Sequence, residues 1–408
     1  MNDYKAQIDL SRFQIEVPTH VSGEERVSLI SKYVTQLSDT DRLALRAHFD
    51  SLLMVMEELD ASDIDIGGGG CAGRVWYRIQ GEKRPAQHAQ SYDKSLTNIL
   101  LLNLITDKQV RFLQEKGSID FSYSIDAGEE KPRRFRATMY FDLDHVALNM
   151  RKINNEIRPF KTLNMHPEAA RTLSLNYLKF GLTLVTGITG SGKSSTLDTI
   201  IDANNRTANA HIVIISSPVE LVHESKKCIV RHREVGRDVK SFRAGAVESL
   251  RQDPDIIVIG ELRDEETIQT ALEITDSGHK TFSTLHTASA TESIDRIIGE
   301  VNVNQQTRIR NRLADVLTCV ISQKLVPTVD GKRAMAKEVL LGTSSVKAAI
   351  RNNNLNEIYQ MLTEGSSLGM QTLEQDLKRL CDERKITLET ALSYANNKTR
   401  MREILNME

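Results

Sequence analysis

The stretch Gly187 Ile188 Thr189 Gly190 Ser191 Gly192 Lys193 Ser194 fits the pattern G-x-x-x-x-G-K-[ST] without a mismatch. Glycines at that spacing let successive backbone N–H groups turn inward on an oxyanion, a lysine reaches the outer phosphate oxygens, and a hydroxyl ligates Mg²⁺. Lys193 and Ser194 take those two roles. Leu182 to Thr186, just before, is a short apolar run of strand character, and Ser195 to Ala203 can form a helix whose N-terminus faces the anion. A chance glycine-rich turn does not come with strand, loop and helix in that order. The expected phosphate cradle is Gly187, Thr189, Gly190, Ser191, Gly192, Lys193, Ser194 and Ser195.

After the cradle, short apolar runs recur between helical stretches: Ile212 to Ile215, Ile256 to Ile259 and Thr281 to Leu285. This alternation predicts an α/β unit with a mostly parallel sheet covered by helices. Each run ends in polar residues, namely Gly187 onward, Ser216 with Ser217, Glu261, and His286. Ligands of such sheets sit at the carboxyl ends of the strands, so these groups are expected to converge. The strand ending at Ser216 is expected beside the phosphate loop.

Asp255 to Glu261 is an apolar strand ending in an acid. A carboxylate there, beside Mg²⁺, can orient or deprotonate an attacking water, which makes Glu261 the candidate general base and a candidate metal-site residue with Ser194. His286 can hydrogen-bond a terminal phosphate, although a single histidine on an apolar strand is more often a satisfied core residue.

The N-terminal part reads differently. Glu24 to Leu37 has helical spacing, and Ser38 with Asp41 caps a second helix running to about Leu59. Asp63 to Ile66 and Val75 to Ile79 read as a hairpin around the Gly67 to Gly70 turn. Ser91 to Glu115 is helical in pattern, while Ile119 to Ile125 and Phe135 to Tyr140 alternate as strands. Together they predict a small α+β domain. The basic run Lys131 to Arg136 is either a solvated hairpin, a nucleic-acid contact, or the source of an arginine, Arg136 with Arg151 beyond it, that reaches a nucleotide held by a neighbouring domain or subunit.

With 408 residues the chain is expected to form two or three domains. Its net charge of -2 provides no global attraction to nucleic acid or to an anionic membrane. The cysteines, Cys71, Cys228, Cys319 and Cys381, form no C-x-x-C pair and are read as free thiols. Met1 to Leu10 lacks the apolar run of a signal peptide, and no uninterrupted apolar span reaches the roughly 18 residues of a membrane helix.

Further motifs accompany the cradle: Val219 to Ser225, Arg233 Glu234 Val235 Gly236, Gly260 to Asp264, Gly278 His279, Thr284 to Thr287, and Ala61 to Ile66. Taken together, over about Leu52 to Asn396, they resemble the secretion ATPase superfamily of type II and type IV systems, and within it the type IV pilus retraction ATPases. The resemblance implies a RecA-like P-loop ATPase domain behind a smaller PAS-like N-terminal domain. The expected division is 1–50 as a helical extension, 51–160 as the PAS-like domain and 161–408 as the ATPase domain with a helical C-terminal region. It further implies ATP and Mg²⁺, catalytic residues Glu261, His279, His286, Arg136 and Arg151, and a homohexamer. The ring is expected in the cytoplasm, docked on an inner-membrane platform protein of the pilus, with no direct nucleic-acid contact and no membrane contact except through partners.

Absence of a four-cysteine zinc motif, together with Ala349 to Asn352 and Ser367 to Thr372, resembles the retraction branch rather than the assembly branch. The rival readings are a weakly hydrolysing regulatory subunit, or an assembly, secretion or conjugation motor. The chain also departs from the family pattern: Ile188 replaces a proline, Ser283 a glycine, and Ser216 Ser217 stand before Pro218 where relatives carry Glu-Asp.

Overall fold

The computed structural model describes residues 9–18, 20–86, 91–126, 128, 132–153 and 156–406. Most of the Met1 to Leu10 stretch, and Lys131 of the basic run, lie outside the described residues. The chain divides into two compact units. The first comprises Met1–Asn155 with Ser217–Leu221 and Glu234–Lys240; the second comprises Glu156–Ser216, Val222–Arg233 and Ser241–Glu408.

In the first unit, β1 (Ala61–Gly67), β2 (Trp76–Ile79), β3 (Glu82–Pro85), β4 (Ser118–Ile125), β5 (Arg133–Asp142) and β6 (His145–Lys152) form an antiparallel sheet in the order β3-β2-β1-β6-β5-β4. The expected hairpin is present, with Ile64 opposite Tyr77. Its turn begins at Gly67 because that residue has φ 89° and a Cβ there would lie 2.4 Å from Val146 O.

The helices Gly23–Gln36 and Asp39–Glu58 put Ile30, Leu45, Phe49 and Leu53 into the same apolar cluster as Ile64, Tyr77, Phe121 and Phe135. Each fully buried side chain of this kind contributes roughly 1.5–3 kcal/mol, so these helices are part of the core. Ser38 Oγ accepts from Asp41 N at 3.1 Å, the cap read from the sequence. The single helical pattern of 91–115 is instead two helices, Lys94–Leu102 and Asp107–Lys116. Thr106 restarts the second through a capping box with Gln109, a local hydroxyl effect that the apolar spacing of Leu104 and Ile105 conceals.

The second unit contains β7 (Gly181–Thr186), β8 (His211–Ser216), β9 (Ile229–Glu234), β10 (Ile256–Ile259), β11 (Lys280–Leu285), β12 (Leu317–Pro327) and β13 (Arg333–Leu341) in the order β13-β12-β7-β11-β10-β8-β9. β12, β7, β11, β10 and β8 run parallel, and β13 returns antiparallel along β12. Every residue of β7, β10 and β11 is buried, as expected of interior parallel strands, although β11 carries Lys280, Thr281, Ser283 and Thr284 among its six residues. The sheet order corrects one expectation: β8 is not beside β7, because β11 and β10 intervene. Crossover connections let strands that are near in sequence lie apart in the sheet, and apolar runs carry no record of that order. The helix Lys193–Thr207 follows the phosphate loop, and the last helices, Leu373–Asp382, Leu388–Tyr394 and Lys398–Ile404, pack Leu373, Leu377, Ala391 and Met401 against Val326 and Ala336 of the β12/β13 pair. Among the described residues no helix is long and apolar enough to cross a membrane.

Candidate active site

The turn from β7 into the helix Lys193–Thr207 is built by glycines in conformations that side chains resist. Gly187 has φ 148°, and a Cβ on it would lie 2.4 Å from both Gln323 O and Ser191 Oγ. Gly190 and Gly192 have φ 79° and 88°, and Gly192 is the N-cap of the helix. With no side-chain cap, the first N–H groups of that helix point into the loop, a ready anion site. Ser191 Oγ is buried with no hydrogen-bond partner, an orphaned hydroxyl lying against Gly187. Gln323 of β12 holds the loop from behind, its Nε2 donating to Ser191 O at 2.7 Å.

Lys193 Nζ donates to Gly187 O at 2.7 Å and Ile188 O at 3.2 Å, folding back over the loop. It also lies 3.5 Å from His286 Nδ1. Burial lowers the Lys193 pKa and the Glu261 charge opposes that shift. Thr189, Ser194 and Ser195 are exposed around the loop, so their hydroxyls can reach a ligand.

β11 lies between β7 and β10, so its carboxyl end delivers His286 between the loop and Glu261. His286 Nε2 is 3.3 Å from Glu261 Oε1, and Arg263 Nε is 2.8 Å from Glu261 Oε2. The strand ends are fixed by hydroxyls: Ser283 Oγ donates to Ile259 O at 2.6 Å and Thr284 Oγ1 to Gly260 O at 2.7 Å. Ser283, which stands in place of a glycine, therefore ties β11 to β10. Burial lowers the His286 pKa, Lys193 lowers it further, and Glu261 works the other way. A neutral ring with Nδ1 facing the Lys193 ammonium carries its proton on Nε2, toward Glu261.

The other expected site residues stand elsewhere. His279 precedes β11 at the strand's opposite end, with Nδ1 3.0 Å from Ser277 Oγ and 3.2 Å from Ile274 O. At about 3.3 Å per residue, the strand separates it from His286 by roughly 20 Å, so it is outside this cluster. Ser216 ends β8, where Gly260 N donates to Ile215 O at 2.8 Å.

In the first unit, Arg136 and Arg151 are directly opposite across β5 and β6. Arg136 contacts Glu220 Oε1 at 3.1 Å and Asp120 Oδ2 at 3.3 Å, and Arg151 Nε donates to Asp63 Oδ1 at 2.8 Å. Arg134 donates to Val219 O and Glu220 O. The described arginines of the basic run are thus engaged within their own unit, which disfavours an open nucleic-acid patch.

Sequence reading missed Arg263 and Gln323. Arg263 is legible two residues beyond the acid in Gly260 to Asp264, whereas Gln323 lies 132 residues from Ser191 and has no local signal. Gly192, Ser195, Thr196, Gln323 and Met335 also border a cavity of about 840 Å³ beside the loop, lined further by Arg158, Lys161 and Arg333.

Comparison with known proteins agrees with this geometry. The family model for type II/IV secretion system protein matches residues 41–406. The type IV pilus retraction ATPase PilT of Pseudomonas aeruginosa is 36% identical over 84% of this chain and 97% of its own length. A twitching motility protein of Neisseria gonorrhoeae is 34% identical over 79% of this chain and 85% of its own. The crystal structure of the pilus retraction motor PilT with bound ADP superposes with a TM-score of 0.74 at 34% identity, covering 86% of this chain and 98% of that one. The chain belongs to the type II/IV secretion system protein family, and it is a P-loop ATPase of that family.

Proposed function

We propose that this protein is the ATP-hydrolysing motor of type IV pilus retraction, acting as a homohexamer on the cytoplasmic side of the inner membrane against a platform protein of the pilus. The observation that carries the reading is the convergence of Lys193, His286 and Glu261 at the ends of β7, β11 and β10 beside a glycine cradle with an orphaned Ser191 hydroxyl. Its likeness to two proteins named for retraction and twitching supports the pilus assignment.

The backbone N–H groups of Gly190 to Ser194 bind the phosphates of ATP, and Lys193 leaves the Gly187 and Ile188 carbonyls for the outer phosphate oxygens. The cavity beside Ser195 and Thr196 has room for base and ribose. The Ser194 hydroxyl, exposed on the first turn of the helix, and the Glu261 carboxylate would supply oxygen ligands to Mg²⁺ together with the phosphates. When bound, that ion supplies charge neutralisation on the transferring phosphate. Glu261 orients and deprotonates the attacking water, while Arg263 and His286 fix its two oxygens. His286 reports the terminal phosphate through Lys193, because its Nδ1 loses that contact when Lys193 turns to the phosphate. Arg136 and Arg151, both partly exposed, serve the site of another copy.

A second reading, a weakly hydrolysing regulatory subunit, is favoured by Ser216 and Ser217, which bring no carboxylate to the end of β8. A pilus-retraction assay in a deletion strain tests the proposal. Restored retraction with this chain, and none with a Lys193→Ala form, is expected; restoration by the Lys193→Ala form overturns it.

A further inference from the structure

The loop 286–290 that follows β11 is pinned both by the helix it leads into, Ala290–Gly299, which is capped by Ser289, and by distant residues. Arg296 Nη1 donates to His286 O at 3.3 Å, Thr287 Oγ1 lies 2.6 Å from Ser293 Oγ, and Ala288 N donates to Glu292 Oε2 at 2.7 Å. Two pins come from distant parts of the chain: Ala290 N donates to Glu338 Oε1 of β13 at 2.7 Å, and Ala288 O accepts from Asn396 Nδ2 at 3.1 Å.

Neither distant residue stands alone. Lys324 of β12 donates from Nζ to Asn396 Oδ1 at 2.7 Å and to Tyr394 O at 2.8 Å, and Asn397 N donates to Glu374 Oε1 at 2.8 Å. Asn396 is thus held in the link between the helices Leu388–Tyr394 and Lys398–Ile404. Glu338 is 3% and Glu374 1% exposed. Burying two carboxylates around one half-buried lysine costs stability that apolar residues of the same size would not. The arrangement does fix the backbone of a loop whose first residue faces Lys193 and Glu261. Burial pushes the Glu338 pKa up to about 7, with the Glu374 charge adding to the shift and the Ala290 N–H and Lys324 opposing it. Glu338 is therefore held by geometry rather than by charge pairing.

We propose that Glu338 and Asn396 are positioning residues for His286, fastening its loop to the β12/β13 pair and to the C-terminal helices. Phosphate-dependent movement of His286 then pulls on the Ala288 and Ala290 bonds and reaches the C-terminal helices through Asn396. This inference rests on the reading of His286 as the phosphate-facing residue. Because a 1 Å displacement at such a site costs on the order of a hundredfold in rate, two backbone bonds are enough to matter.

The test is steady-state ATP hydrolysis and fluorescent-nucleotide affinity of the full-length chain, in Asn396→Asp, Glu338→Ala, Glu338→Gln and His286→Ala and in their pairs. Asn396→Asp keeps an acceptor for Lys324 but removes the donor to Ala288 O. Glu338→Gln keeps an acceptor for Ala290 N. Asn396→Asp and Glu338→Ala are expected to lower kcat about ten- to a hundredfold with nucleotide affinity unchanged, Glu338→Gln to stay within about twofold, and either loss to vanish in a His286→Ala background. Losses that multiply with His286→Ala, or full turnover in both Asn396→Asp and Glu338→Ala, overturn the proposal while leaving His286 in its role. Full turnover of His286→Ala alone overturns the reading of His286 itself, and this proposal with it.

Discussion

His286 Nε2 lies 3.3 Å from Glu261 Oε1, with the two side chains leaving neighbouring parallel strands. On its other side His286 Nδ1 is 3.5 Å from Lys193 Nζ, so one imidazole separates the phosphate-binding cation from the candidate base. Lys193 and Glu261 push the protonation of this imidazole in opposite directions.

The first consequence is a pH limit. Burial and Lys193 lower the His286 pKa, so the neutral ring persists below the ordinary histidine value of about 6.5. Protonation adds a second cation beside Lys193 and removes the Nδ1 acceptor. Turnover should therefore stay level from pH 8 to about 6.5 and fall only below it. Because the folded-state value is depressed, the same group contributes stability above about 6.5 that is lost as pH falls through the lowered value. A pH–rate profile checks this; a decline beginning above pH 7, and abolished in His286→Ala, places the histidine in the wrong environment.

Lys193→Ala should abolish tight ATP binding, because it removes the cation nearest the outer phosphates while leaving the glycine conformations of Gly187, Gly190 and Gly192 intact. Calorimetric titration of nucleotide into the folded variant checks it. Unchanged affinity would remove the loop from the site.

Arg136→Ala and Arg151→Ala should leave nucleotide affinity in place and lower turnover, about 10²-fold or more, if each acts on developing charge in another copy's site. The Arg136 side chain is 40% exposed and pairs with partly exposed acids, so its replacement should cost only about 0–1 kcal/mol of stability, whereas Arg151 pairs with Asp63, whose side chain is 4% exposed, so its replacement should cost more and is read with a melting curve beside turnover. Mixing Arg136→Ala with Glu261→Gln subunits distinguishes sites shared between copies from sites closed within one. Recovery of activity in the mixture is expected, and no recovery contradicts the shared site.

The serines before Pro218 predict a greater need for Mg²⁺. A serine can bond a metal-bound water but offers no negative charge to the cation. Ser216→Glu with Ser217→Asp should raise turnover at low Mg²⁺ and change it little at saturating Mg²⁺. A magnesium titration of both forms decides; identical curves mean that Glu261 with Ser194 suffices.

What could be read from the sequence follows from which interactions are local. The phosphate loop was legible because glycine conformation, lysine and hydroxyl all lie within Gly187 to Ser194. The strand end at Glu261 was legible because Ile256 to Ile259 is a continuous apolar run, whereas the strand before His286 offers only Phe282 and Leu285 as apolar residues among buried polar ones. The order of those strands was not, and Ser216 was expected next to the wrong neighbour. The β12/β13 pair was also missed, since Gln323, Lys337 and Glu338, held in the interior, and half-buried Lys324 interrupt its apolar pattern. The break at Thr106 was hidden by apolar residues that continue across it. His279 shares a family pattern with His286, yet a whole strand separates the two.

The most direct measurement is steady-state ATP hydrolysis by the purified oligomer beside its Glu261→Gln form, with nucleotide affinity measured on both. Glu261→Gln keeps the shape and loses the base, and it leaves Lys193 and the glycine cradle untouched. The account predicts measurable turnover in the native protein, a loss on the order of 10²–10³ in the variant, and equal nucleotide affinity in the two. Native protein that binds ATP without hydrolysing it, or a variant that turns over as fast as the native chain, contradicts the account.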